Sequence, residues 1–310
     1  MSDWKTKFRR VDFLGALILI AAVFTLLLGL DHGSNVSWSS PITIASLCVA
    51  GPLTIAFLLV EFKIAAEPFA PARIVLERSL VACYFCNFFA FASWMSVLFY
   101  LPLFFQAVDQ FNASQAGLCL IPAIVASVSG SLFGGVVMQK SGKYYWLTVC
   151  AYSTAALAAI PILLCTGLVV NSIYGIEVGL VFSGFANGIG VTTTLIGLIA
   201  NAAPEDQAIA TACSYLFRSL GSVVGLSVSA TVVQQTLRTQ LRDRLRSGKD
   251  AEDIVKNVRE SLEFVKTLSP KLQVMVRECY GNATRNGFGF MLGLVCCAAV
   301  SSCECFPQDA

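Results

Sequence analysis

The sequence predicts an all-α membrane protein with about eight transmembrane helices. Of its 310 residues, 56% are hydrophobic and 13% are charged, whereas soluble domains carry about 25% charged residues. The mean hydropathy is +0.72, and a bilayer, unlike a single packed core, can accommodate this much apolar sequence. Helices are expected because lipid offers backbone amides no hydrogen-bond partner. We therefore expect an integral, multi-pass membrane protein whose main partner is the lipid bilayer.

Eight apolar runs are candidate spans, since a spanning helix needs roughly 17–25 mostly apolar residues. In chain order they are Phe13–Leu30, Pro41–Val60, Leu80–Val108, Ala113–Met138, Trp146–Val169, Ile173–Ala200, Ile209–Val233 and Gly287–Ser302. The charged segment Met1–Arg10 precedes a run that is long enough to span, so we expect an anchor rather than a cleaved signal peptide.

The distribution of Lys and Arg predicts the orientation. With a cytoplasmic N-terminus, the short outer loops Asp31–Ser40, Asp109–Asn112 and Thr166–Ser172 carry no basic residue. The inner segments carry nine, namely Lys5, Lys7, Arg9, Arg10, Lys63, Arg73, Arg78, Lys140 and Lys143. Cytoplasmic loops are enriched in Lys and Arg, so this difference places the N-terminus inside.

The segment Gln234–Asn286 holds eleven of the 21 basic residues, yet helix parity places it outside. Long loops translocate largely regardless of charge, so the short loops decide. We expect this loop to be helical, with a second helix starting near Asp250 and a third at Ser269-Pro270. Its first helix would present three leucines on one face: Leu237, Leu241 and Leu245. Three sequons on the outer side are candidate glycosylation sites: Asn35, Asn112 and Asn282.

Arg218 is the charge that most needs an explanation, because it lies roughly 13 Å into a predicted span. It should face protein, water or an anionic partner, since facing lipid costs at least a few kcal/mol. Two interpretations are open. Arg218 is either a charge that takes part in gating or in the translocation pathway, or a structural arginine whose side chain extends to the membrane surface or holds helices together. Glu177 is either a proton-coupling carboxylate or an acid solvated at the interface. Four further polar residues are candidates for the pathway: Asn87, Gln106, Asn187 and Thr193, which lies within Thr192–Thr194. Each of them can instead form a hydrogen bond between helices.

Small residues four apart let membrane helices approach closely. They recur as Gly130/Gly134, Gly184/Gly188, Gly221/Gly225 and Gly289/Gly293. Most of the twelve cysteines lie in apolar runs and are expected to be small apolar helix residues. Cys83-x-x-Cys86 has the spacing of a redox or metal motif, but structural packing is the favoured interpretation. Cys303 and Cys305 follow the last span and are either palmitoylated or undecorated.

The sequence offers little for catalysis or nucleic-acid binding. His32 is the single histidine, and the chain has no Walker loop, no Gly-x-Ser-x-Gly elbow and no cluster of metal ligands. The net charge of +2 is too small to indicate nucleic acid. We expect neither an enzyme nor a cofactor or metal.

The pattern Gly135-x-x-x-Gln139-Lys140-x-Gly142-Lys143 resembles the G-x-x-x-D-R-x-G-R/K loop of the major facilitator superfamily. In that family the loop joins neighbouring helices and helps hold one face of the transporter shut. The resemblance therefore implies a conformational latch loop here. Gln139 replaces the usual acid and Lys140 the usual arginine, so the charge-relay version of the latch does not carry over.

Further motifs resemble the C-terminal half of the fungal fourteen-span drug:proton antiporters. They are Tyr100–Gln106, Ser114-x-Ala116-Gly117-Leu118 with Pro122, Pro204-Glu205-Asp206, Phe217–Gly221, and Trp38–Pro41 with Glu61. The run Val233-Gln234-Gln235, with the long outer loop after it, is most similar to the vacuolar basic amino acid transporter branch.

The resemblance implies the domain organisation. Residues 1–12 would be a cytoplasmic segment, and residues 13–78 two linker spans and a cytoplasmic connector. Residues 79–233 would be the first five spans of the C-terminal six-helix bundle, residues 234–286 the non-cytoplasmic loop, and residues 287–310 the last span and a short tail. An N-terminal bundle of six spans would be missing, and we expect a fragment or truncated product.

It also implies a function: proton-coupled antiport of basic amino acids or amphipathic drugs in the vacuolar or plasma membrane, by alternating access. The partners would be a small-molecule substrate, protons, and the missing N-terminal bundle or a second copy. The alternative is a non-transporting half that acts as a scaffold or regulatory partner, or an inactive fragment.

Overall fold

The computed structural model describes residues 13–63, 77–245, 254–255, 257–258 and 262–305. Within these ranges the elements are α1 Phe13–Asn35, α2 Pro41–Lys63, α3 Arg78–Ala107, α4 Ala113–Leu118, α5 Ile121–Ser141, α6 Tyr145–Cys165, α7 Ile173–Asn201, α8 Gln207–Leu245, α9 Leu262–Thr267 and α10 Pro270–Ser302. Seven candidate membrane spans lie among them, and α2 contributes a shorter apolar stretch. The predicted all-α membrane fold is confirmed. The segment 1–12, Arg73 and the Asp250 cap lie outside the described residues.

Two membrane helices extend far beyond the predicted spans. The helix α8 has 39 residues and does not stop at Val233, and α10 has 33 residues and begins well before Gly287. At 1.5 Å per residue, α8 is about 58 Å long, roughly twice the thickness of the hydrocarbon core. Leu237 and Leu241 are fully buried in the cluster that also contains residues of α10. Both ends of the outer segment are therefore continuations of packed membrane helices.

The run predicted as one span from Ala113 forms two helices, α4 and α5. Asn112 starts α4 with a capping box, in which its side chain accepts a hydrogen bond from the Gln115 backbone at 2.8 Å. The Gln115 side chain accepts one from the Asn112 backbone at 3.1 Å. Pro122 lies in the first turn of α5, where a missing N–H costs nothing. The chain therefore turns at Cys119-Leu120 before it enters the bundle.

Glycines set the closest helix crossings. A Cβ at Gly188 of α7 would overlap the Ser127 carbonyl of α5, and a Cβ at Gly221 of α8 would overlap the Phe88 carbonyl of α3. Packing through small residues is confirmed for three of the four predicted pairs, Gly130/Gly134, Gly184/Gly188 and Gly221/Gly225. At Gly289 and Gly293 a Cβ would meet no described atom within 4 Å. These two glycines are not needed for packing inside the described bundle.

Successive helices cross the bundle in opposite directions, so the segments that connect them lie at its two ends. The inner end, predicted to be cytoplasmic, contains Arg78, Ser141–Tyr145, Asn201–Gln207 and Ser302–Cys305; the outer end contains Ala107–Asn112 and Cys165–Ile173. At the inner end, Asn201 donates a hydrogen bond to the Tyr144 hydroxyl at 2.7 Å. The hairpin of α1 and α2 packs on α8, where the Trp38 indole donates to the Thr231 hydroxyl at 3.2 Å.

We expect Gly188→Ala to destabilise the protein by about 1–3 kcal/mol, because the added methyl group overlaps a backbone carbonyl that cannot move cheaply. Gly289→Ala is the matched control and should be neutral or slightly stabilising, because its methyl group meets open space. Thermal unfolding of the two purified variants in detergent measures the difference. Equal unfolding temperatures would contradict this packing.

Candidate functional site

Asn87 joins three helices inside the bundle. It lies on α3 and is 0% exposed. Its amide nitrogen donates to the Cys83 carbonyl at 3.0 Å and to the Ser214 hydroxyl of α8 at 3.2 Å. Its amide oxygen accepts hydrogen bonds from Arg218 of α8 and from the Thr194 hydroxyl of α7, each at 3.4 Å. All four hydrogen-bonding positions of an asparagine side chain are therefore used. We call Asn87, Thr194, Ser214 and Arg218 the Asn87 network.

Arg218 carries the only charge in this network. It follows Gln207, the first residue of α8, by eleven residues, or about 16 Å of helix. Its guanidinium carbon lies 4.4 Å from the centroid of the Phe91 ring and 5.0 Å from that of Tyr215. Such cation–π contacts partly replace lost hydration. The Arg218 Nε is buried without a hydrogen-bond partner in the described chain.

No described carboxylate neutralises this charge. The described ion pairs Arg78–Glu304 and Arg244–Glu278 both lie at the ends of the bundle, away from Arg218. A half-buried cation without a counter-ion is unfavourable unless a polar or anionic group approaches it. Arg218 therefore has no counter-ion among the described residues.

Phe91 also lines a groove between α3, α5 and α7, with an empty volume of about 670 Å³ that includes its open mouth. Polar and apolar groups alternate in its lining: Phe91, Trp94, Ser127, Val128, Ser131, Leu132, Asn187, Gly188 and Val191. Trp94 and Asn187 also line a second, smaller pocket next to α6 and α10. The volume and the mixed lining suit a small organic molecule.

The structure brings only some of the predicted pathway residues together. Asn87 and Arg218 are in contact, and Asn187 lies nearby in the groove. Thr193 is fully buried, and its hydroxyl donates to the Gly190 carbonyl of its own helix at 3.1 Å, whereas Thr194 makes the interhelical bond. Ser214, Phe91 and Tyr215 were missed by the sequence analysis. The sequence does contain a signal for Ser214: it lies four residues before Arg218, a spacing that places both side chains on one face of a helix.

Two predicted pathway residues lie at the outer end instead. Glu177 is near the start of α7 and within hydrogen-bonding reach of the Cys119 thiol. The Gln106 amide donates to the Pro102 carbonyl one turn earlier, at 3.2 Å. Neither residue contacts the Asn87 network, so their pathway roles stay predictions.

The predicted latch loop ends α5 at the inner end. Gly142 adopts a φ of 65° and its N–H donates to the Met138 carbonyl at 2.9 Å, which closes the helix. Gln139, Lys140 and Lys143 are exposed, and a Cβ at Gly135 would meet no described atom within 4 Å. The side chains thus face away from the described bundle, and the latch role stays a prediction.

The three candidate glycosylation sites occupy helix ends or a helix interior. Asn35 is the last residue of α1 and Asn112 caps α4. Asn282 lies inside α10, where it donates to Gln240 at 3.3 Å and accepts from Arg285 at 3.2 Å. Their modification stays a prediction.

Comparisons with known proteins agree on one family. The sequence model of the Major Facilitator Superfamily matches residues 12–226. A vacuolar membrane amino acid uptake transporter of Schizosaccharomyces pombe is 34% identical over 97% of this chain and 52% of its own length. A multidrug resistance protein of the same yeast is 32% identical over 88% of this chain and 52% of its own length. Vacuolar basic amino acid transporter 2 of Saccharomyces cerevisiae is 31% identical over 89% of this chain and 59% of its own length.

The chain therefore spans about half the length of the curated relatives that it matches. Among solved structures, a bacterial homologue of the human lysosomal transporter Spinster, in an inward-facing and occupied conformation, superposes with a TM-score of 0.61. It covers 93% of this chain and 64% of the other chain at 13% identity, which supports the fold alone.

Asn87→Leu should destabilise the protein, because it removes four hydrogen bonds and leaves Ser214, Thr194 and Arg218 without their shared partner. We expect a loss of about 1–3 kcal/mol, seen as a lower unfolding temperature in detergent. Gln106→Leu is the matched control, since its side chain bonds only to its own helix. A control variant that loses as much stability as Asn87→Leu would contradict the central role of Asn87.

Asp109, at the outer end, makes stability depend on pH. Its Oδ1 accepts a hydrogen bond from Asn171 at 3.3 Å, while its Oδ2 is buried without a partner in the described chain. Burial raises the pKa of this carboxyl above its ordinary value of 3.8, and the Asn171 bond lowers it in part. The folded protein thus holds the proton more tightly than the unfolded chain, and this contribution to stability is lost as the pH rises through the raised pKa.

We expect Asp109→Asn to raise the unfolding temperature at neutral pH and to change it little at acidic pH. The dependence of the unfolding temperature on pH should therefore be flatter in the variant between about pH 4 and pH 7. Unfolding in detergent at a series of pH values measures both slopes. Parallel curves for the wild type and the variant would contradict the burial of this carboxyl.

Proposed function

Since the chain belongs to the Major Facilitator Superfamily, a family of membrane transporters rather than enzymes, we propose that it is part of a secondary active amino acid transporter of the vacuolar membrane. The observation that carries this proposal is the guanidinium of Arg218, which has no described counter-ion and lies 4.4 Å from the ring of Phe91, a residue that lines the groove. Every amino acid substrate brings a carboxylate, which is the anionic group that Arg218 lacks. Arg–carboxylate pairs can be bidentate and are among the strongest polar contacts in proteins.

The groove supplies the remaining contacts. Ser127, Ser131 and Asn187 offer hydroxyl and amide groups, and Phe91 and Trp94 offer aromatic faces on which a cationic side chain can rest. A basic amino acid would place its carboxylate towards Arg218 and its positive end against Trp94. The similarity to an amino acid uptake transporter and to a basic amino acid transporter supports this substrate class.

Transport of an amphipathic drug is the second candidate. The aromatic and aliphatic part of the groove lining favours it, and a multidrug resistance protein is among the relatives. A drug without an acidic group would leave Arg218 unpaired, so the Asn87 network favours the amino acid.

The mechanism that we propose is proton-coupled antiport by alternating access, in which one bundle rocks against another around a site near the membrane midplane. The groove carries two partly exposed serines, Ser127 and Ser131, and polar groups of this kind should face protein or water rather than lipid. We infer that a second six-helix bundle covers this face. It is either an N-terminal bundle of the same protein or a second copy of this chain.

No acid belongs to the Asn87 network within the described residues. The proton-coupling carboxylate is therefore assigned either to the covering bundle or to Glu177 at the outer end. Such a carboxylate would attract the cationic side chain of a basic amino acid only while it is deprotonated, so substrate and proton would compete for the same negative group. This competition is the basis of antiport.

A non-transporting half is the alternative function, as a scaffold or regulatory partner or as an inactive fragment. The mass of the native, deglycosylated protein on a blot separates the cases. A band near 33.2 kDa would mean that this chain is made alone, and transport would then require a second copy. A much larger band would mean that the covering bundle belongs to the same polypeptide.

The test of substrate class is uptake of radiolabelled lysine by vacuolar vesicles that carry the product of the complete gene, driven by an imposed proton gradient. Unlabelled arginine should compete, whereas cadaverine, which is lysine without its carboxylate, should compete poorly. Arg218→Gln should reduce lysine uptake at least about tenfold at unchanged expression and should abolish the preference for lysine over cadaverine.

Arg242→Gln is the matched control, because Arg242 is exposed on the same helix far from the groove. It should leave uptake unchanged. Equal competition by cadaverine and arginine in the wild type would contradict carboxylate binding, and uptake of a cationic drug that survives Arg218→Gln would favour the second candidate.

A further inference from the structure

Cysteines that lie 222 residues apart in the sequence come together in the fold. The Cys305 sulfur, in the turn after α10, is 3.5 Å from that of Cys83 and 4.0 Å from that of Cys86, both on α3. All three side chains are at most 1% exposed. We call these three residues the thiol cluster. It lies at the inner end, which the sequence predicts to be cytoplasmic.

The turn that carries Cys305 is held on the bundle by specific contacts. Three successive backbone bonds, from the N–H groups of Cys303, Glu304 and Cys305 to carbonyls three residues earlier, shape it. The Arg78 Nε donates to the Glu304 carboxylate at 2.8 Å, and the Tyr145 hydroxyl donates to the Cys303 carbonyl at 3.2 Å. These contacts are exposed and individually weak, so the turn can open without unfolding the helices.

The local chemistry favours a reactive thiol at Cys305. The hydrogen bond from the Cys83 thiol and the contact with the Cys86 thiol lower the pKa of the Cys305 thiol and outweigh its burial, which acts in the opposite direction. The thiolate is the nucleophile in disulfide exchange. The described residues contain no group of side chains arranged as a metal site, which leaves thiol–disulfide exchange as the chemistry to test.

We propose that Cys83 and Cys305 form a reversible disulfide, made by exchange with a low-molecular-weight disulfide such as oxidised glutathione. When the turn opens, the Cys305 thiolate attacks one sulfur of glutathione disulfide, and a mixed disulfide forms as one glutathione thiolate leaves. The Cys83 thiol then loses its proton and attacks the Cys305 sulfur, and the second glutathione thiolate leaves and takes up a proton. Two protein thiols are oxidised, and one glutathione disulfide is reduced to two glutathione molecules.

Cys83 is the expected partner for two reasons. Its sulfur is the nearer of the two, and Cys86 is additionally engaged with the Ala298 carbonyl of α10 at 3.4 Å. Disulfides in a cytosolic environment are usually transient and redox-sensing rather than structural. The bond would connect positions 222 residues apart and would tie the start of α3 to the end of α10. Oxidation would therefore fasten the inner end of the bundle covalently.

The experiment uses membranes that contain the 310-residue chain, equilibrated with reduced glutathione or with excess oxidised glutathione. Free thiols are then blocked with N-ethylmaleimide, and the protein is digested without reduction for mass spectrometry. The Cys83–Cys305 linked peptide should form in the oxidising buffer and be absent in the reducing one. Maleimide labelling of Cys305 should fall about tenfold between the two.

Three variants test the assignment. Cys83→Ser should abolish the linked peptide and leave Cys305 joined to glutathione, because the second step is lost. Cys86→Ser and Cys303→Ser should both retain the Cys83–Cys305 link, and Cys303→Ser is the matched control because Cys303 is exposed in the same turn. The proposal is overturned if the oxidised wild type lacks this peptide, or if the labelling of Cys305 is the same in the oxidising and the reducing buffer.

Discussion

The positive charge of Arg218 inside the hydrocarbon region is the constraint on which the arrangement of this bundle depends. A guanidinium at this depth needs protein groups in place of water. Asn87, Phe91 and Tyr215 provide part of that environment, with one amide oxygen and two aromatic faces. Because Asn87 also bonds to Ser214 and Thr194, solvation of one charge fixes the relative positions of α3, α7 and α8.

This network can form only where the helix axes come very close. At Gly221 and Gly225 the helix α8 lies directly against α3, and at Gly188 the helix α7 lies against α5. An asparagine side chain is short, so its amide reaches neighbouring helices only if their backbones are in near contact. The glycines that set the packing and the polar residues that form the site are therefore parts of one arrangement. In lipid, where apolar burial gives no net attraction between helices, such packing and hydrogen bonding hold a bundle together.

The sequence was sufficient for the spans, for three of the four glycine pairs and for an interhelical hydrogen bond at Asn87, because hydropathy, residue size and polarity are local properties. It was not sufficient for the helix ends: α8 continues past Val233 because Leu237 and Leu241 pack against α10, a contact between distant segments. Nor could it decide between Thr193 and Thr194. These neighbours are separated by a rotation of about 100° about the helix axis, and only the position of α3 determines that Thr194 is the one that reaches Asn87. The approach of Cys305 to Cys83 across 222 residues has no local signal.

The polar groups of the groove and the apolar lipid-facing surface distinguish two sides of the bundle. Trp146, Leu157 and Val300 are more than 60% exposed, and such side chains are stable against lipid. Ser127, which is partly exposed in the groove, is not, because hydrocarbon cannot satisfy the hydrogen bonds of its hydroxyl. The incomplete solvation of Arg218 points the same way, since its Nε has no partner within the described residues. The groove side is therefore the side of the bundle that is least suited to contact with lipid.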